Sequence, residues 1–276
     1  MPLFGLNGAT TGEEATLEID IRAAAQAGYE YVELRDTKIE RYLTGGGGTL
    51  PSLRARLREA RVDALSINAL EDATLPMGQD LQARLARMRV LCEWAAALGA
   101  PYVVAVPSFL PPAGLPDSQV RVRTAAALRA LAGVAAPLGV QVGFEFLGFP
   151  TCSVSTLRAA RGIIEDAADP RIGLVIDAFH FYAGGSRLED LDGLDASRVF
   201  IVHLDDAEPG DPARLTDAHR VLPGQGVIPL RSLVARLQMV GYRGAYSLEL
   251  FRPEYWTWDP SDLARRGLDG MHRLFT

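Results

Sequence analysis

The sequence predicts an α/β fold and, within that class, a single (β/α)8 TIM barrel over residues 1–276. Short apolar runs alternate with longer amphipathic segments along the whole chain. Eight strand and helix units fit into about 250 residues, which is the usual length of this barrel. A doubly wound sheet is the weaker alternative, because no GxGxxG motif follows the first strand.

The predicted strands are short apolar runs, and each is followed by a segment long enough for a helix. In chain order they are Leu3–Asn7, Tyr31–Arg35, Ala64–Ala69, Tyr102–Val106, Val140–Phe146, Gly173–Asp177, Val199–Asp205 and Ala245–Leu250.

The helices are predicted from apolar side chains that recur every three or four residues. One such stripe consists of Leu81, Leu85, Met88, Cys92 and Ala95. A second stripe consists of Leu230, Leu233, Val234 and Leu237. A glycine just before the next strand is typical of a helix end, and four positions fit this pattern: Gly28, Gly99, Gly139 and Gly241.

The overall charge argues against a polyanionic partner. The chain has a formal net charge of −6, whereas a nucleic-acid binder needs a basic face to replace phosphate counterions. No apolar run approaches the roughly 20 residues of a membrane-spanning helix, and the N-terminus does not resemble a signal peptide. The two cysteines, Cys92 and Cys152, lack a CxxC spacing and suit a reducing compartment. We therefore expect a cytoplasmic protein with no nucleic-acid partner and no membrane association.

Lys38 is the only lysine in the chain. Schiff-base chemistry requires a lysine amine, so this class of mechanism is nearly excluded. The glycine run Gly45–Gly48 lacks the GK[ST] ending of a phosphate-binding P-loop. We expect this run to be a surface loop.

Polar side chains occur at the carboxyl ends of four successive predicted strands. Side chains on a strand alternate between its two faces, so the apolar face that packs on the helices turns the polar residues into the barrel. This alternation turns inward Glu145, Asp177, His203, Asp205 and Glu249.

Each of these inward residues alone would normally be a structural residue. Three carboxylates packed beside a histidine, however, require a cation, and this ligand set suits Mn²⁺, Mg²⁺, Co²⁺ or Zn²⁺. We predict one divalent ion bound by Glu145, Asp177, His203 and Glu249.

Further polar residues lie near this predicted metal site. His180 follows Asp177 by three residues, close enough to reach the same pocket. We expect Arg220 to hold a substrate oxygen and not to maintain the fold. The alternative for Arg220 is a surface arginine paired with Asp217. Four more residues point inward at strand ends and are candidates for binding hydroxyl groups: Asn7, Glu33, Arg35 and Asn68.

Several segments resemble the sugar phosphate isomerase/epimerase superfamily of xylose isomerase-like barrels, and within it the inosose isomerase branch. These segments are GFEFLG, GLVIDAFHFYAGGS, FIVHLDD, RVLPGQGVIPL and SLELFRPEYW. The resemblance extends to NGATT, GYEYVELR, LSINAL and PYVVAVP in the first half of the chain. It implies metal ligands at the four positions already selected, and substrate-oxygen binding at His180 and Arg220.

The expected reaction moves a carbonyl along a small keto-polyol or sugar by proton transfer through an enediolate. Glu145 and Glu249 would be the acid/base pair, and Asn68, His180 and Arg220 would bind the substrate. Three alternatives stay open: a ketose 3-epimerase, a keto-sugar lyase or dehydratase on the same metal site, and a non-catalytic carbohydrate-binding barrel.

A related type of enzyme, the endonuclease IV nucleases, binds three zinc ions with a larger set of histidines. Leu70 and Val106 offer no histidine at the ends of the third and fourth strands, and the loop reads His219-Arg220-Val221. We therefore reject a nuclease. The aromatic stretch Phe251–Trp258 either covers the pocket of its own subunit or packs against a second copy, so the sequence leaves a homo-oligomer open.

Overall fold

Eight parallel strands close into a barrel in the computed structural model, which describes residues 2–75, 79–110 and 114–276. The strands are β1 (Leu3–Asn7), β2 (Tyr31–Arg35), β3 (Asp63–Leu70), β4 (Tyr102–Ala105), β5 (Gln141–Glu145), β6 (Ile172–Asp177), β7 (Val199–His203) and β10 (Ala245–Leu248). The barrel closes because β1 pairs with β2 on one side and with β10 on the other. Two short strands, β8 (Asp206–Ala207) and β9 (Arg220–Val221), form an antiparallel pair outside the barrel. The predicted barrel is confirmed.

Helices lie between the strands and form the outer layer. They are α1 (Leu17–Ala27), α2 (Asp36–Thr44), α3 (Leu50–Ala60), α4 (Gln79–Leu98), α5 (Asp117–Ala135), α6 (Leu157–Ala167), α7 (Ala178–Ala183), α8 (Leu230–Met239) and α9 (Pro260–His272). Helices α1 and α9 pack together, which closes the outer layer where the two ends of the chain meet. Among the described residues, no helix combines the length and the apolar character needed to cross a membrane.

The predicted helix faces agree with the burial of side chains. All four residues of the predicted α8 stripe are buried. In α4 the stripe is buried from Met88 onward, while Leu85 is only partly covered because the first turns of the helix lie near the surface. The four glycines predicted to end helices all have positive φ angles, which a residue with a side chain rarely adopts.

The core has two parts, as the alternation of strand side chains requires. Residues such as Phe144, Ile176 and Val202 pack between the strands and the helices. A smaller group that includes Val175 and Ile201 fills the interior of the barrel. This filling places the polar residues of the same strand faces two positions further along, at the carboxyl end of the barrel.

Lys38 is a buried structural residue. Its Nζ atom donates to Gly8 O at 2.7 Å, to Thr11 Oγ1 at 3.1 Å and to both carboxylate oxygens of Asp20 at 2.9 and 3.0 Å. Lys38 lies in α2 and Asp20 in α1, so the ion pair joins these helices to the loop after β1. The amine is thus occupied by structural contacts, in agreement with the exclusion of Schiff-base chemistry.

Candidate metal centre

The four predicted ligands meet at the carboxyl end of the barrel. Glu145, Asp177 and His203 are the last residues of β5, β6 and β7, and Glu249 directly follows β10. One donor atom from each lies within 4.8 Å of the other three. His203 Nδ1 is 3.2 Å from Glu145 Oε1, 3.3 Å from Glu249 Oε2 and 3.7 Å from Asp177 Oδ2. All four side chains are buried.

The electrostatics of this cluster favour a cation at its centre. Burial, together with the charges of Glu249 and Asp177, raises the pKa of Glu145 to about 8, although His203 opposes the shift. Burial also acts to raise the pKa of Asp177, but the charges of Arg220, His180 and His203 hold it well below its usual range. Three carboxylate oxygens and one imidazole nitrogen in such a small space fit a divalent ion.

Arg220 is a buried cation next to the cluster, and carboxylates surround its guanidinium. It begins β9 and has no exposed surface. Its Nη1 atom contacts Asp177 Oδ2 at 2.6 Å, Asp205 Oδ2 and, at 3.6 Å, Glu249 Oε2. Its Nε atom donates to Asp217 Oδ1 at 3.0 Å. The pairing with Asp217 therefore exists, but Arg220 is not a surface residue. Removal of Arg220 would leave buried carboxylates without a partner, which argues against the expectation that Arg220 does not maintain the fold.

The β8–β9 pair brings Arg220 into the barrel mouth. Asp206 accepts hydrogen bonds from the backbone N–H groups of Gly224, Gly226 and Ile228 at 2.9 to 3.1 Å. These bonds fold the loop after β9 back onto β8. The sequence offered a signal for this arrangement in the Asp205-Asp206 pair and in the glycines of PGQG.

His180 lies in α7, beside the guanidinium of Arg220. Arg220 Nη2 is 3.0 Å from His180 Nε2. Arginine can only donate, so Nε2 accepts and the ring proton is on Nδ1. Burial lowers the pKa of His180, which keeps the ring neutral, although Asp177 opposes the shift. The Nδ1 atom is buried and has no hydrogen-bond partner among the described residues.

A cavity of about 230 Å³ opens next to the cluster. Its lining includes Glu145, Glu249, His180 and Arg220 together with Arg35, Asn68 and the aromatic residues Phe149 and Phe251. A lining that combines polar groups with aromatic rings suits a small polyhydroxylated ring.

Arg35 and Asn68 are hydrogen-bonded to each other in the lining of this cavity. Arg35 Nη1 donates to Asn68 Oδ1 at 2.7 Å, and Asn68 Nδ2 is 3.5 Å from Glu249 Oε1. The Arg35 guanidinium lies over the Phe251 ring at 5.5 Å. Its buried Nε atom has no hydrogen-bond partner within the part of the chain that the structure describes. Arg35 Nε is therefore a donor available to an acceptor in the cavity.

Asn7 and Glu33 lie below the cluster, away from the cavity. Both are fully buried, and neither is among the described residues that line the cavity. Glu33 Oε1 is 3.0 Å from His203 Nε2, on the opposite side of the ring from the other carboxylates. The expectation that Asn7 and Glu33 bind substrate hydroxyls is wrong. Glu33 shares the inward face of β2 with Arg35 but comes two residues earlier, which places it deeper in the barrel.

The closed parallel barrel is a TIM barrel. The cluster of carboxylates and a histidine at its carboxyl end is the kind of site that binds a metal ion. The sequence profile described as "Xylose isomerase-like TIM barrel" matches residues 21–274. The chain belongs to this family.

The relatives that match this chain include proteins named as inosose isomerases. The chain is 38% identical over 251 residues to an inosose isomerase of Halalkalibacterium halodurans, with 91% of this chain and 88% of the relative covered. It is 34% identical to an inosose isomerase of Bacillus subtilis, with 91% and 89% covered. A crystal structure of IolI protein with a bound zinc atom superposes with a TM-score of 0.94 at 31% identity, covering 99% of this chain and 98% of that one.

Proposed function

We propose that the protein is a divalent-metal-dependent isomerase that interconverts inososes by moving a carbonyl along the ring. The convergence of Glu145, Asp177, His203 and Glu249 beside a small cavity, which Glu145 and Glu249 line, is the observation that carries this proposal. The similarity to inosose isomerases over 91% of the chain supports the choice of substrate.

The four residues of the cluster would hold the ion through one donor atom each. A divalent cation bound there would polarise the carbonyl of the substrate and lower the energy of the enediolate that forms on proton removal. The zinc atom named for the IolI structure supports zinc as one ion that such a site accepts.

Glu145 and Glu249 are the proposed acid/base pair. Both belong to the described lining of the cavity, whereas Asp177 does not. They come from β5 and from the end of β10, so they reach the cavity from different strands. A carboxyl group that takes up and returns a proton needs a pKa near the working pH, and the environment of Glu145 moves its pKa in that direction.

Buried donors in the cavity lining are proposed to bind the oxygens of the substrate. His180 Nδ1 and Arg35 Nε are both buried without a partner among the described residues, so an oxygen acceptor in the cavity would satisfy them. Asn68 offers its amide beside Glu249. Arg220 supplies positive charge next to His180, which favours the oxygen charge of an enediolate.

The proposal includes a small-molecule substrate, no nucleic-acid partner and a cytoplasmic location. The net charge of −6 supports the absence of a nucleic-acid partner. The two cysteines are buried free thiols, which agrees with a reducing compartment.

The reaction is tested by incubating 2-keto-myo-inositol with metal-loaded protein in D₂O and following the products by NMR. We expect 1-keto-chiro-inositol that carries the proton or deuteron at the former ketone carbon. The folded Glu249→Gln variant, which keeps the shape of the side chain but removes the carboxylate, should bind less metal and lose turnover.

Other products would replace the proposal. Epimerisation of fructose or tagatose without turnover of inososes would indicate a ketose 3-epimerase on the same site. Loss of water from the substrate would indicate a dehydratase. Full metal content and full activity in Glu249→Gln would show that the site is assigned wrongly.

A further inference from the structure

We infer that Glu33 is a positioning residue that fixes which nitrogen of His203 faces the metal and thereby sets the metal affinity of the site. The inference rests on the proposed metal site. It gives a role in metal binding to a residue that is not among the described residues lining the cavity. Three observations lead to it: the orientation of the His203 ring, the contacts of Glu33, and the network that joins Glu33 to Glu249.

The His203 ring lies between two groups of carboxylates. Its Nδ1 atom faces Glu145, Asp177 and Glu249 at 3.2 to 3.7 Å. Its Nε2 atom faces Glu33 Oε1 at 3.0 Å. A neutral imidazole carries one proton, and the negative charge of Glu33, 3.0 Å from Nε2, favours that proton on Nε2, although the two atoms are not aligned as a hydrogen bond in this structure. The lone pair of Nδ1 is then directed at the ion, which requires a deprotonated nitrogen.

Two hydrogen-bond donors hold the carboxylate of Glu33 in place. Ser66 Oγ donates to Glu33 Oε2 at 2.7 Å, and Asn7 Nδ2 is 3.3 Å from Glu33 Oε1. Glu33 and Ser66 have no exposed surface, so neither water nor substrate competes for these contacts. A carboxylate fixed from two sides can orient a ligand without moving when the ion binds.

The same network reaches a second ligand through Asn7. Ala9 N donates to Asn7 Oδ1 at 2.9 Å, which turns the amide nitrogen of Asn7 toward the carboxylates. That nitrogen donates to Glu249 Oε1 at 2.8 Å. Glu249 Oε2 remains directed at His203 Nδ1. Asn7 therefore leaves one oxygen of Glu249 for the metal and links it to the support of His203.

The ligands and their supporting residues come from different parts of the barrel. The ligands lie on β5, β6, β7 and the end of β10, whereas Asn7, Glu33 and Ser66 lie on β1, β2 and β3. The strands at the start of the chain thus supply the hydrogen bonds that orient ligands from the later strands.

The test compares Glu33→Gln with the wild-type protein in Co²⁺ titrations followed by the visible spectrum of the ion. Loss of an orienting partner typically weakens metal binding by about 10–100-fold, and we expect this increase in Kd for Glu33→Gln. The substitution also removes a negative charge near the ion, so the effect of charge alone needs its own control.

Glu71→Gln is a control for the loss of a carboxylate near the site, and Ser66→Ala, which removes the donor to Glu33 Oε2 without changing the charge, separates orientation from charge. Glu71 lines the cavity, and it is absent from the described contacts of His203. Its replacement removes the same charge but leaves the orientation of the histidine ring unchanged. Glu71→Gln should change Kd by no more than about 2-fold, since an exposed charge is screened by solvent.

A second readout is the nitrogen NMR spectrum of the Zn²⁺-loaded protein labelled with ¹⁵N-histidine. The chain has only four histidines, so the spectrum is readable. We expect a metal-bound Nδ1 and a protonated Nε2 for His203 in the wild-type protein, with the Nε2 proton resonance displaced in Glu33→Gln. If Glu33→Gln does not fold, Ser66→Ala should show the same changes with a smaller amplitude.

The outcomes separate this inference from the proposed function. A wild-type protein that binds no divalent metal would overturn the metal site itself. A wild-type protein that binds metal, beside a folded Glu33→Gln variant with unchanged Kd and unchanged His203 resonances, would overturn only the role of Glu33.

Discussion

Replacement of Arg220 by alanine tests whether this buried cation stabilises the metal centre. The side chain has no exposed surface and contacts Asp177, Asp205, Asp217 and Glu249. Removal of one partner of a buried ion pair typically costs about 3–5 kcal/mol, because the remaining charges lose their compensation. In a chain of this size each kcal/mol shifts the Tm by about 2 °C. The metal-free Arg220→Ala variant should therefore melt about 6–10 °C below the metal-free wild-type protein.

The surface residue Arg265 provides the matched control. Its side chain is 56% exposed, and it pairs at 2.7 Å with Asp262, which is 59% exposed. Solvent screens an ion pair that is exposed on both sides, so Arg265→Ala should lower the Tm by no more than about 2 °C. Both variants are compared with the wild-type protein by differential scanning calorimetry after removal of metal with a chelator.

Added metal should affect the two variants differently. The divalent ion supplies positive charge to Asp177 and Glu249, the same carboxylates that Arg220 contacts. A ligand that binds only the folded state raises stability by RT ln(1 + [L]/Kd). We expect Zn²⁺ to raise the Tm of Arg220→Ala by more than it raises that of wild type or Arg265→Ala. An Arg220→Ala variant that melts within about 2 °C of the metal-free wild type would refute the reasoning.

The remaining predictions concern the fold. Lys38→Met should lower the free energy of unfolding by about 3–5 kcal/mol in urea denaturation, because Asp20 is left buried and unpaired; equal stability would contradict the structural role of Lys38. Burial raises the pKa of Asp20 in the folded protein to about 6, despite the charge of Lys38. The stability that follows from this raised pKa should be fully present below about pH 4, where the carboxyl group is protonated in both states, and should be lost as the pH rises through 6. The double variant Asp20→Asn, Lys38→Met should lack this part of the pH dependence. Gly226→Ala should reduce stability because its Cβ would overlap the carbonyl of Ala207, whereas Gly47→Ala, whose Cβ would meet no described atom within 4 Å, should not.

The two periodicities of the sequence determined the barrel and the convergence of its proposed metal ligands. The alternation of apolar and polar side chains in β5 and β6 depends only on the geometry of a strand, so Glu145 and Asp177 were assigned to the interior without knowledge of their neighbours. His203 and Glu249 followed from the same rule on β7 and β10. Because parallel strands of a barrel end at one face, four local assignments were sufficient to predict one site.

The depth of each inward residue was decided only by the tertiary structure. Glu33 and Arg35 have the same orientation on β2, yet Glu33 contacts His203 below the cluster and Arg35 lines the cavity above it. Their levels depend on the register of β2 against its neighbours, which is set by hydrogen bonds between strands far apart in the sequence.

The ion pairs of Arg220 likewise depend on the tertiary structure. From the sequence, Asp217 is its nearest acidic neighbour, and a pairing with Asp217 was the alternative to a substrate-binding role for Arg220. The contacts with Asp177 and Asp205 arise because the β8–β9 pair folds over the mouth of the barrel. A strand periodicity is local and can be read along the chain, whereas the pairing of a buried charge depends on which distant loops close over it. The sequence therefore determined which residues converge at the barrel mouth, and the packing of the loops decided which of them belong to the cluster, line the cavity or pair with each other.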